Sequence, residues 1–261
     1  MITLSVIMPL YRAKYIAWLA YESLARQEDI DFEWELIIME EQQEEQQTFR
    51  DLHNYIDRLK AIGCSRIAYT PIHYWIPLAN KTCQLIQQCS STSKVLIAQA
   101  GDYYAPPKRL KRMHDIYEKN PVIDWVKVPK TITYDIETEQ LYIHDTLDKA
   151  KFDSACRAVL LKYARVIKSS EKKKGIDRWF AKQYEKVVGE LTIYIDQSSD
   201  WLYGLNVNGF NTISERGKFF ESPEEYGFTQ CSIAIENILP EDILFFLRES
   251  KKVLHLHKGK I

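Results

Sequence analysis

The sequence predicts an α/β protein with a mostly parallel central sheet and helices on both faces. Apolar, β-branched runs of strand length alternate with amphipathic segments of helix length through the first 120 residues. Such an alternation is typical of βαβ units, whose strands run parallel. The chain has 261 residues, a length that suits one domain, and 46% of them are hydrophobic. This composition excludes a disordered or collagen-like chain.

Each predicted strand of the first half is a short apolar run, and a helical pattern follows each one. TLSVIMP ends at Pro9, and its β-branched residues suit a buried parallel strand. The last of these helices opens with Pro106, a residue that suits the first turn. The predicted strands are 3–9, 33–41, 65–72 and 94–100, and the predicted helices are 15–27, 42–62, 78–89 and 106–120.

The sequence pattern of the second half differs from that of the first half. Residues 125–144 alternate like a β-hairpin with a turn near Glu137–Glu139. Residues 200–209 read as a helix that is closed by Gly209, because glycine often ends a helix. The other predicted elements are a strand running into a helix at 154–167, a helix at 177–191, strands at 192–196 and 210–214, and a helix at 240–250.

Net charge and cysteine content indicate which partners and which cellular compartment suit this chain. The net charge of −1 gives no overall field that attracts nucleic acid or anionic membrane. The N-terminus lacks a secretory-signal pattern, and no window has the length of apolar sequence that spans a bilayer. An odd number of scattered cysteines fits neither a disulfide framework nor a metal cluster, so we expect a cytoplasmic protein. The cysteines are Cys64, Cys83, Cys89, Cys156 and Cys231.

Three segments follow predicted strands and mark the expected ligand surface. In open α/β sheets the ligand lies beyond the carboxyl ends of the strands. The segments at that edge are Pro9–Arg12, Glu40–Gln42 and Gln99–Tyr103. Tyr11 offers a flat aromatic face there, and Glu40 or Glu41 offers a carboxylate that can accept a hydrogen bond from a ligand. The alternative is that Tyr11 packs at the strand end and the glutamates are solvated.

Several segments, in order, resemble family 2 inverting glycosyltransferases with the GT-A fold. SVIMPLYRAKYI resembles their first strand, Pro-x-Tyr turn and helix start, although an Asn usual after the Tyr is missing. ELIIMEEQ resembles their second strand, and LANKTCQLIQQCSSTSKVLIAQAGDYYAPPKRL resembles the stretch that leads into the DXD motif. KKKGID and QSSDWLYGLNVNGFNTIS resemble the acceptor-side segments. The series covers roughly residues 3–214.

The resemblance implies a Rossmann-like nucleotide-diphospho-sugar transferase, with a UDP-sugar as donor and a hydroxyl as acceptor. It implies a single GT-A-like domain over 1–261: a nucleotide-sugar-binding half at about 1–120, an acceptor-side half at about 121–215, and a tail with one helix at 216–261. The donor-binding residues that it implies are Pro9, Leu10, Tyr11, Arg12, Glu40, Glu41, Asn80, Gln99, Gly101 and Asp102. For Asn80, a local cap or an internal helix hydrogen bond is the alternative.

The resemblance also implies a divalent cation, Mn²⁺ or Mg²⁺, at the DXD motif. Here the motif reads Gln99-Ala100-Gly101-Asp102, so Asp102 is the candidate ligand. His257, with His255 two residues before it on an expected extended segment, is a second candidate, because some GT-A enzymes add a histidine near the C-terminus. The alternative for these histidines is a surface tail without a ligand. The alternative to the metal is a clamp in which Lys or Arg side chains bind the diphosphate. The candidates for that clamp are Lys81, Lys108 and Arg109.

The catalytic base is implied in the segment Asp196–Asp200. The Glu-Asp frame of the family falls on Gln197-Ser198, and acids flank it at Asp196 and Asp200. Asp196 ends a predicted strand, while Asp200 matches an acid of the family pattern but also suits a helix N-cap. Both remain candidates for the carboxylate that takes the acceptor proton.

Two other functions stay open. The lost DXD acids suit a degenerate module that binds a nucleotide sugar or a partner without turnover. A nucleotidyltransferase is expected to carry a Gly-rich loop after the first strand, and MPLYRAK has no Gly. The acceptor is open between a glycan, a lipid-linked glycan, a protein and a nucleic acid, and a homo-oligomer fits the sequence. Basic clusters are either solvated faces or attachments to an anionic membrane surface or acceptor. They are Lys108–Arg112, Lys168–Lys174 and Lys251–Lys260.

Overall fold

The computed structural model describes residues 1–11, 13–41, 47–145, 157–171, 176–196, 205–208 and 228–258. The strands are β1 Ile2–Leu10, β2 Glu33–Glu41, β3 Cys64–Ile72, β4 Val95–Ala98, β5 Tyr103–Tyr104, β6 Trp125–Lys127, β7 Lys130–Asp135, β8 Gln140–Asp145, β9 Arg157–Leu160, β10 Ile193–Ile195, β11 Leu205–Asn208 and β12 Phe228–Cys231. The helices are α1 Ala17–Ala25, α2 Gln47–His53, α3 Ile56–Ala61, α4 Leu78–Gln88, α5 Arg109–Lys119, α6 Leu161–Ala164, α7 Ile176–Val188 and α8 Glu241–Lys258.

The central sheet confirms the predicted architecture. Its seven strands lie in the order β10-β6-β9-β4-β1-β2-β3. β1 pairs in parallel with both β2 and β4, β2 pairs in parallel with β3, and β6 with β10. Only β9, among the described strands of this sheet, runs antiparallel to its neighbours, β4 and β6. The result is a mixed but mostly parallel sheet.

Helices cover both faces of the central sheet, as predicted. Successive side chains of a strand point to opposite faces, so neighbours on β1 enter different cores. Val6 packs in a cluster with Leu24 of α1 and Leu110 of α5. Ile7 packs in a second cluster with Leu85 of α4 and Phe180 of α7. Burial of both faces is the reason that β1 and β2 read as nearly continuous apolar runs.

A second sheet corrects one prediction. Its order is β12-β8-β7-β11-β5, and it includes the predicted hairpin as β7 and β8. Residues 205–208, predicted as part of a helix, form β11, which pairs in parallel with β7 and antiparallel with β5. The side chain of Val207 is fully buried, and its N–H donates to the carbonyl of Asp102 at 2.8 Å. Pairing on both edges outweighs the local helix pattern; the predicted strand 210–214 and residues 200–204 lie outside the described residues.

Several helix boundaries differ by two or three residues from the predictions, and α5 begins at Arg109 rather than at Pro106. Two differences are larger. The described part of the predicted helix 42–62 consists of α2 and α3, which are separated at Asn54 and Tyr55. α8 continues to Lys258, eight residues beyond the predicted end, so His255 and His257 lie on a helix rather than on an extended segment. Among the described helices, none has the length and apolar character that a membrane span requires.

Candidate functional site

The carboxyl ends of β1, β2 and β4 meet at one edge of the central sheet. The pairing register places Leu10 opposite Glu40 and Ile7 opposite Ala98. The structure therefore brings together the turn after β1, the glutamates that end β2, and the turn after β4. Arg12 lies outside the described residues, and Pro9 is half-buried within β1. The predicted donor-binding segments thus share one edge of the central sheet.

A buried lysine connects two of these strand ends. The Nζ atom of Lys81, on α4, donates to the carbonyl oxygen of Leu10 at 2.7 Å and lies 2.9 Å from a carboxylate oxygen of Glu41. It also lies 5.8 Å from the ring centroid of Tyr11. The side chain is 1% exposed, and this burial lowers the pKa of Lys81, while the hydrogen bond to Glu41 opposes the shift. Lys81 fixes the end of β1 against the end of β2.

The glutamates at the end of β2 are buried rather than solvated. Glu40 and Glu41 are 6% and 8% exposed. Glu40 accepts a hydrogen bond from the hydroxyl of Tyr69 at 2.6 Å, and Glu41 accepts a long one, 3.5 Å, from the N–H of Ile76. Buried carboxylates need such partners, because desolvation disfavours the charged form. Both side chains are therefore held in fixed positions at the crevice edge.

The turn after β4 is held by an amide–guanidinium contact. Gln99 is buried, and its Oε1 atom accepts from Nη1 of Arg109 at 2.6 Å. Its Nε2 atom donates to the carbonyl of Tyr103 at 2.7 Å and to that of Ala100 at 3.2 Å. Arg109 is fully buried, donates also to the carbonyl of Ala98, and lies 5.2 Å from the Tyr103 ring centroid. The Gln99 amide is thus committed to hydrogen bonds within the protein.

Gly101 lies in close contact with the turn and helix that follow β1. A Cβ atom at this position would lie 3.0 Å from Cδ2 of Leu10 and 3.3 Å from Cβ of Ala13. The second of these contacts is tighter than nearly all real Cβ contacts, and Ala13 has no flexible side chain that could move aside. A carboxylate at position 101 would therefore require α1 or the turn to shift. Glycine is needed here for close approach rather than for backbone conformation.

The described residues do not fit the divalent cation that the resemblance implies. Mg²⁺ and Mn²⁺ prefer several oxygen ligands. The motif falls on Gln99-Ala100-Gly101, where the Gln99 side chain is committed and neither Ala100 nor Gly101 has a polar side chain. Only Asp102, just past the motif and partly exposed, carries a carboxylate. Within the described part of the chain, no group of three His, Cys, Asp or Glu side chains is placed to hold a metal. The side chain of His257 lies outside the described part of the chain.

Asn80 lies on α4 directly before Lys81. Its Nδ2 atom donates to a carboxylate oxygen of Glu171 at 3.3 Å. Its Oδ1 atom is buried and has no hydrogen-bond partner among the described residues. This contact is with a distant loop rather than within the helix, so the local hydrogen bond that was the alternative for Asn80 is not what the structure has.

Asp196 is buried against a guanidinium at the far end of the sheet. It follows β10, is 1% exposed, and accepts two hydrogen bonds from Arg112, one of them at 2.6 Å from Nη2 and the other from Nε. Its N–H donates to the carbonyl of Lys127 at 2.8 Å. Such a two-pronged pair occupies both carboxylate oxygens. Asp200, the other candidate base, lies outside the described residues.

The first basic cluster is not an open positive face. Arg109 is buried, and Arg112 binds Asp196. Lys108 lies 3.3 Å from a carboxylate oxygen of Asp29, and Lys111 bridges Asp31 and Asp115 at 3.1 and 2.7 Å. Each basic side chain of this cluster thus has a partner within the protein, although Lys108 remains exposed.

Sequence reasoning missed several groups at the same edge. Tyr69 positions Glu40 from β3, where only its place in an alternating strand could have marked it. Tyr74 and Trp75 follow β3 and are 66% and 49% exposed. They sit at the carboxyl end of a strand next to β2, which is the only sequence signal that they carry.

Comparison with known proteins identifies the fold. No family model and no curated protein matches the chain. Among solved structures, TarS 1-349 from S. aureus in complex with UDP-GlcNAc matches with a TM-score of 0.61 and 16% identity, over 95% of this chain and 71% of that one. The TarS structure and this chain share the GT-A glycosyltransferase fold. The chain has the GT-A fold.

Two further structures of this fold agree. The longer TarS structure matches with a TM-score of 0.60 and 12% identity, over 86% of this chain but only 43% of that one. Glucosyl-3-phosphoglycerate synthase from Mycobacterium tuberculosis, in complex with Mg²⁺ and UDP, matches with a TM-score of 0.51 and 12% identity, over 79% and 72% of the two chains. The GT-A fold thus accounts for the mostly parallel sheet whose strand ends meet at one edge.

Proposed function

We propose that this chain binds a nucleoside-diphosphate sugar, with a UDP-sugar as the donor, at the carboxyl ends of β1, β2 and β4, and transfers the sugar to a hydroxyl of an acceptor. The observation that carries the proposal is the convergence of Tyr11, Glu40, Glu41 and the Gln99–Asp102 turn at one edge of a GT-A sheet. The similar TarS structure was solved with UDP-GlcNAc and the similar synthase with UDP, which supports this class of donor.

In this function each group at the edge has a separate task. The Tyr11 ring stacks on the nucleobase, since a base offers its flat face to an aromatic ring. A buried carboxylate at Glu40 or Glu41 accepts from a base N–H, and Tyr69 and Lys81 hold these carboxylates in place. We assign to Asn80, whose side-chain oxygen is buried without a partner among the described residues, a contact with the ribose or phosphate. These contacts bind and orient the donor before any bond changes.

Transfer with inversion requires a carboxylate on the acceptor side. That group takes the proton of the acceptor hydroxyl while the hydroxyl oxygen bonds to the anomeric carbon and the diphosphate leaves. Arg112 engages both oxygens of Asp196. This arrangement favours a structural role for Asp196, so we assign the base to Asp200.

A second candidate function is a module that binds the donor without turnover. The commitment of Gln99 to Arg109 and the close packing around Gly101 favour it, because neither position retains an acid. Both functions require nucleotide binding at the same edge, and they differ only in whether the donor is consumed.

Donor hydrolysis separates the two functions. Purified chain is incubated with a panel of UDP-sugars without acceptor, and released UDP is measured, since a transferase usually leaks some sugar to water. The matched control is the Asp200→Asn variant, for which we expect UDP binding without release. UDP release by wild type alone supports the transferase, and binding without release supports the binding module. Absence of both binding and release for every donor contradicts the proposed function.

A further inference from the structure

We propose that this chain binds its nucleoside diphosphate without a divalent cation. The side chains of the turn after β4 would then hold no cation. This inference rests on the proposed function and concerns the same crevice. It arises from the disagreement between the cation that the fold implies and the side chains that occupy the turn.

The first step concerns position 99. Metal-binding side chains at a nucleotide turn must direct a carbonyl or carboxylate oxygen toward the phosphates. Oε1 of Gln99 instead accepts from Arg109 at 2.6 Å, and Nε2 donates to two backbone carbonyls. The side chain is 1% exposed. Releasing it would leave the buried guanidinium of Arg109 without one of its acceptors, which is costly in the protein interior.

The second step concerns position 101. The turn lies so close to Leu10 and Ala13 that a Cβ atom at Gly101 would meet them at 3.0 and 3.3 Å. The turn is held from both sides, because β4 belongs to the central sheet and β5 to the second sheet. The carbonyl of Asp102 accepts from the N–H of Val207 on β11 at 2.8 Å. A carboxylate-bearing residue at position 101 would therefore require Leu10, Ala13 or the anchored turn to shift.

The third step concerns the charge of the diphosphate. Ammonium and guanidinium groups are the protein's own means of binding phosphate. Lys81 is fixed at this edge by the carbonyl of Leu10, the residue that packs on Gly101. We assign to Lys81 part of the electrostatic role that a cation has in a metal-dependent site. Lys81 binds the end of β1, and the turn after β4 contacts the same end.

The test is the affinity for UDP in the presence and absence of divalent cation. Isothermal calorimetry is run with the full chain in EDTA, in Mg²⁺ and in Mn²⁺, with matched buffer in cell and syringe. We expect dissociation constants that agree within about threefold, far less than the 10-fold that 1.4 kcal/mol would give. A cation requirement of tenfold or more overturns this inference and leaves the proposed function standing. Absence of UDP binding in every buffer overturns both.

Two variants sharpen the result. In Asp102→Asn, the ratio of UDP affinities with and without cation should stay near one. The same ratio is expected for the surface control Glu118→Gln. A large ratio in wild type that falls to one in Asp102→Asn would assign a cation to Asp102. The double variant Lys81→Met with Glu41→Gln, which removes a buried pair without leaving one charge alone, is compared with Glu41→Gln, since Glu41 is itself a candidate donor contact. UDP affinity of the double variant should be about tenfold lower than that of Glu41→Gln in every buffer. Equal affinities of the two variants would overturn the role of Lys81. Circular dichroism checks the folding of each variant.

Discussion

At the residue scale, the Tyr11 ring is the part of the crevice with the simplest expected contribution. It lies at the end of β1, with the ammonium of Lys81 5.8 Å from its centroid. A ring held in this way is presented as a flat surface at the edge where a nucleobase would lie. The contact with Lys81 also orients the ring before the ligand arrives.

Replacing Tyr11 by alanine should weaken UDP binding by about 1–3 kcal/mol, the scale of a lost base–aromatic stack. Calorimetry with UDP measures this change. Tyr15→Ala is the matched control, because that ring lies in the same segment and packs against the core. If Tyr11→Ala binds UDP as tightly as wild type, the ring is not part of the donor site.

The two acids of the segment Asp196–Asp200 should respond differently to replacement by asparagine. Asp196→Asn leaves Arg112 without its carboxylate, so we expect a loss of about 1–3 kcal/mol in the free energy of unfolding and most of the transfer rate retained. Asp200→Asn should reduce transfer by about 10²–10⁴-fold, the contribution typical of a general base. Thermal unfolding and turnover are measured for both; the reverse pattern would assign the base to Asp196.

At the element scale, a carboxylate on α1 connects three helices. Glu22 accepts from Arg58 of α3 at 2.7 and 2.8 Å and from Arg26 at 2.5 Å, and Arg26 also contacts Asp242 of α8. Burial raises the pKa of Glu22, but the hydrogen bonds from Arg58 and Arg26 outweigh it and hold the pKa below its ordinary 4.5. The network ties helices that the chain order separates widely.

Glu22→Gln should therefore destabilise the protein, and the effect should depend on pH. A carboxyl group with a lowered pKa in the folded state contributes stability above its unfolded pKa of 4.5, and this contribution is lost as pH falls through the folded value. At neutral pH we expect a loss of about 1–2 kcal/mol, reduced by the partial exposure of both arginines. The difference from wild type should shrink in unfolding curves recorded at pH values well below 4.5. A pH-independent difference would contradict the assignment.

At the scale of the whole molecule, three thiols lie in the two cores of the central sheet. Cys64 packs in one hydrophobic cluster, and Cys83 and Cys89 pack in the other. Burial raises the pKa of Cys64 to about 12, that of Cys83 to about 11 and that of Cys89 to about 12. Their reactivity is therefore a measure of how often the cores open.

These three thiols should be alkylated much more slowly than Cys231, which is partly exposed. Iodoacetamide labelling followed by mass spectrometry measures the rates, with denatured protein as the control. Because the folded pKa values lie above the ordinary 9.0, the stability that the protonated thiols contribute is present below pH 9.0 and lost as pH rises toward 11–12. Rapid labelling of all three in native protein would contradict the packing of both cores.

The sequence predicted the central sheet well because its signals are local. β1 and β2 are apolar runs with β-branched residues, and the helices after them carry helical spacing, so each element is specified by its own residues. The convergence of Tyr11, Glu40 and Gln99 was predictable for the same reason, because parallel strands place their carboxyl ends at one edge.

What only the tertiary structure decided were the contacts between segments distant in the chain. The helix pattern at 200–209 yields to β11, because Val207 is buried between two strands that sequence spacing does not identify. The engagement of Gln99 by Arg109, of Asp196 by Arg112, and of Leu10 and Glu41 by Lys81 depends on side chains meeting across elements. A sequence pattern predicts which residues lie at the strand ends. Burial and hydrogen-bond partners then decide which of their atoms remain available to a ligand.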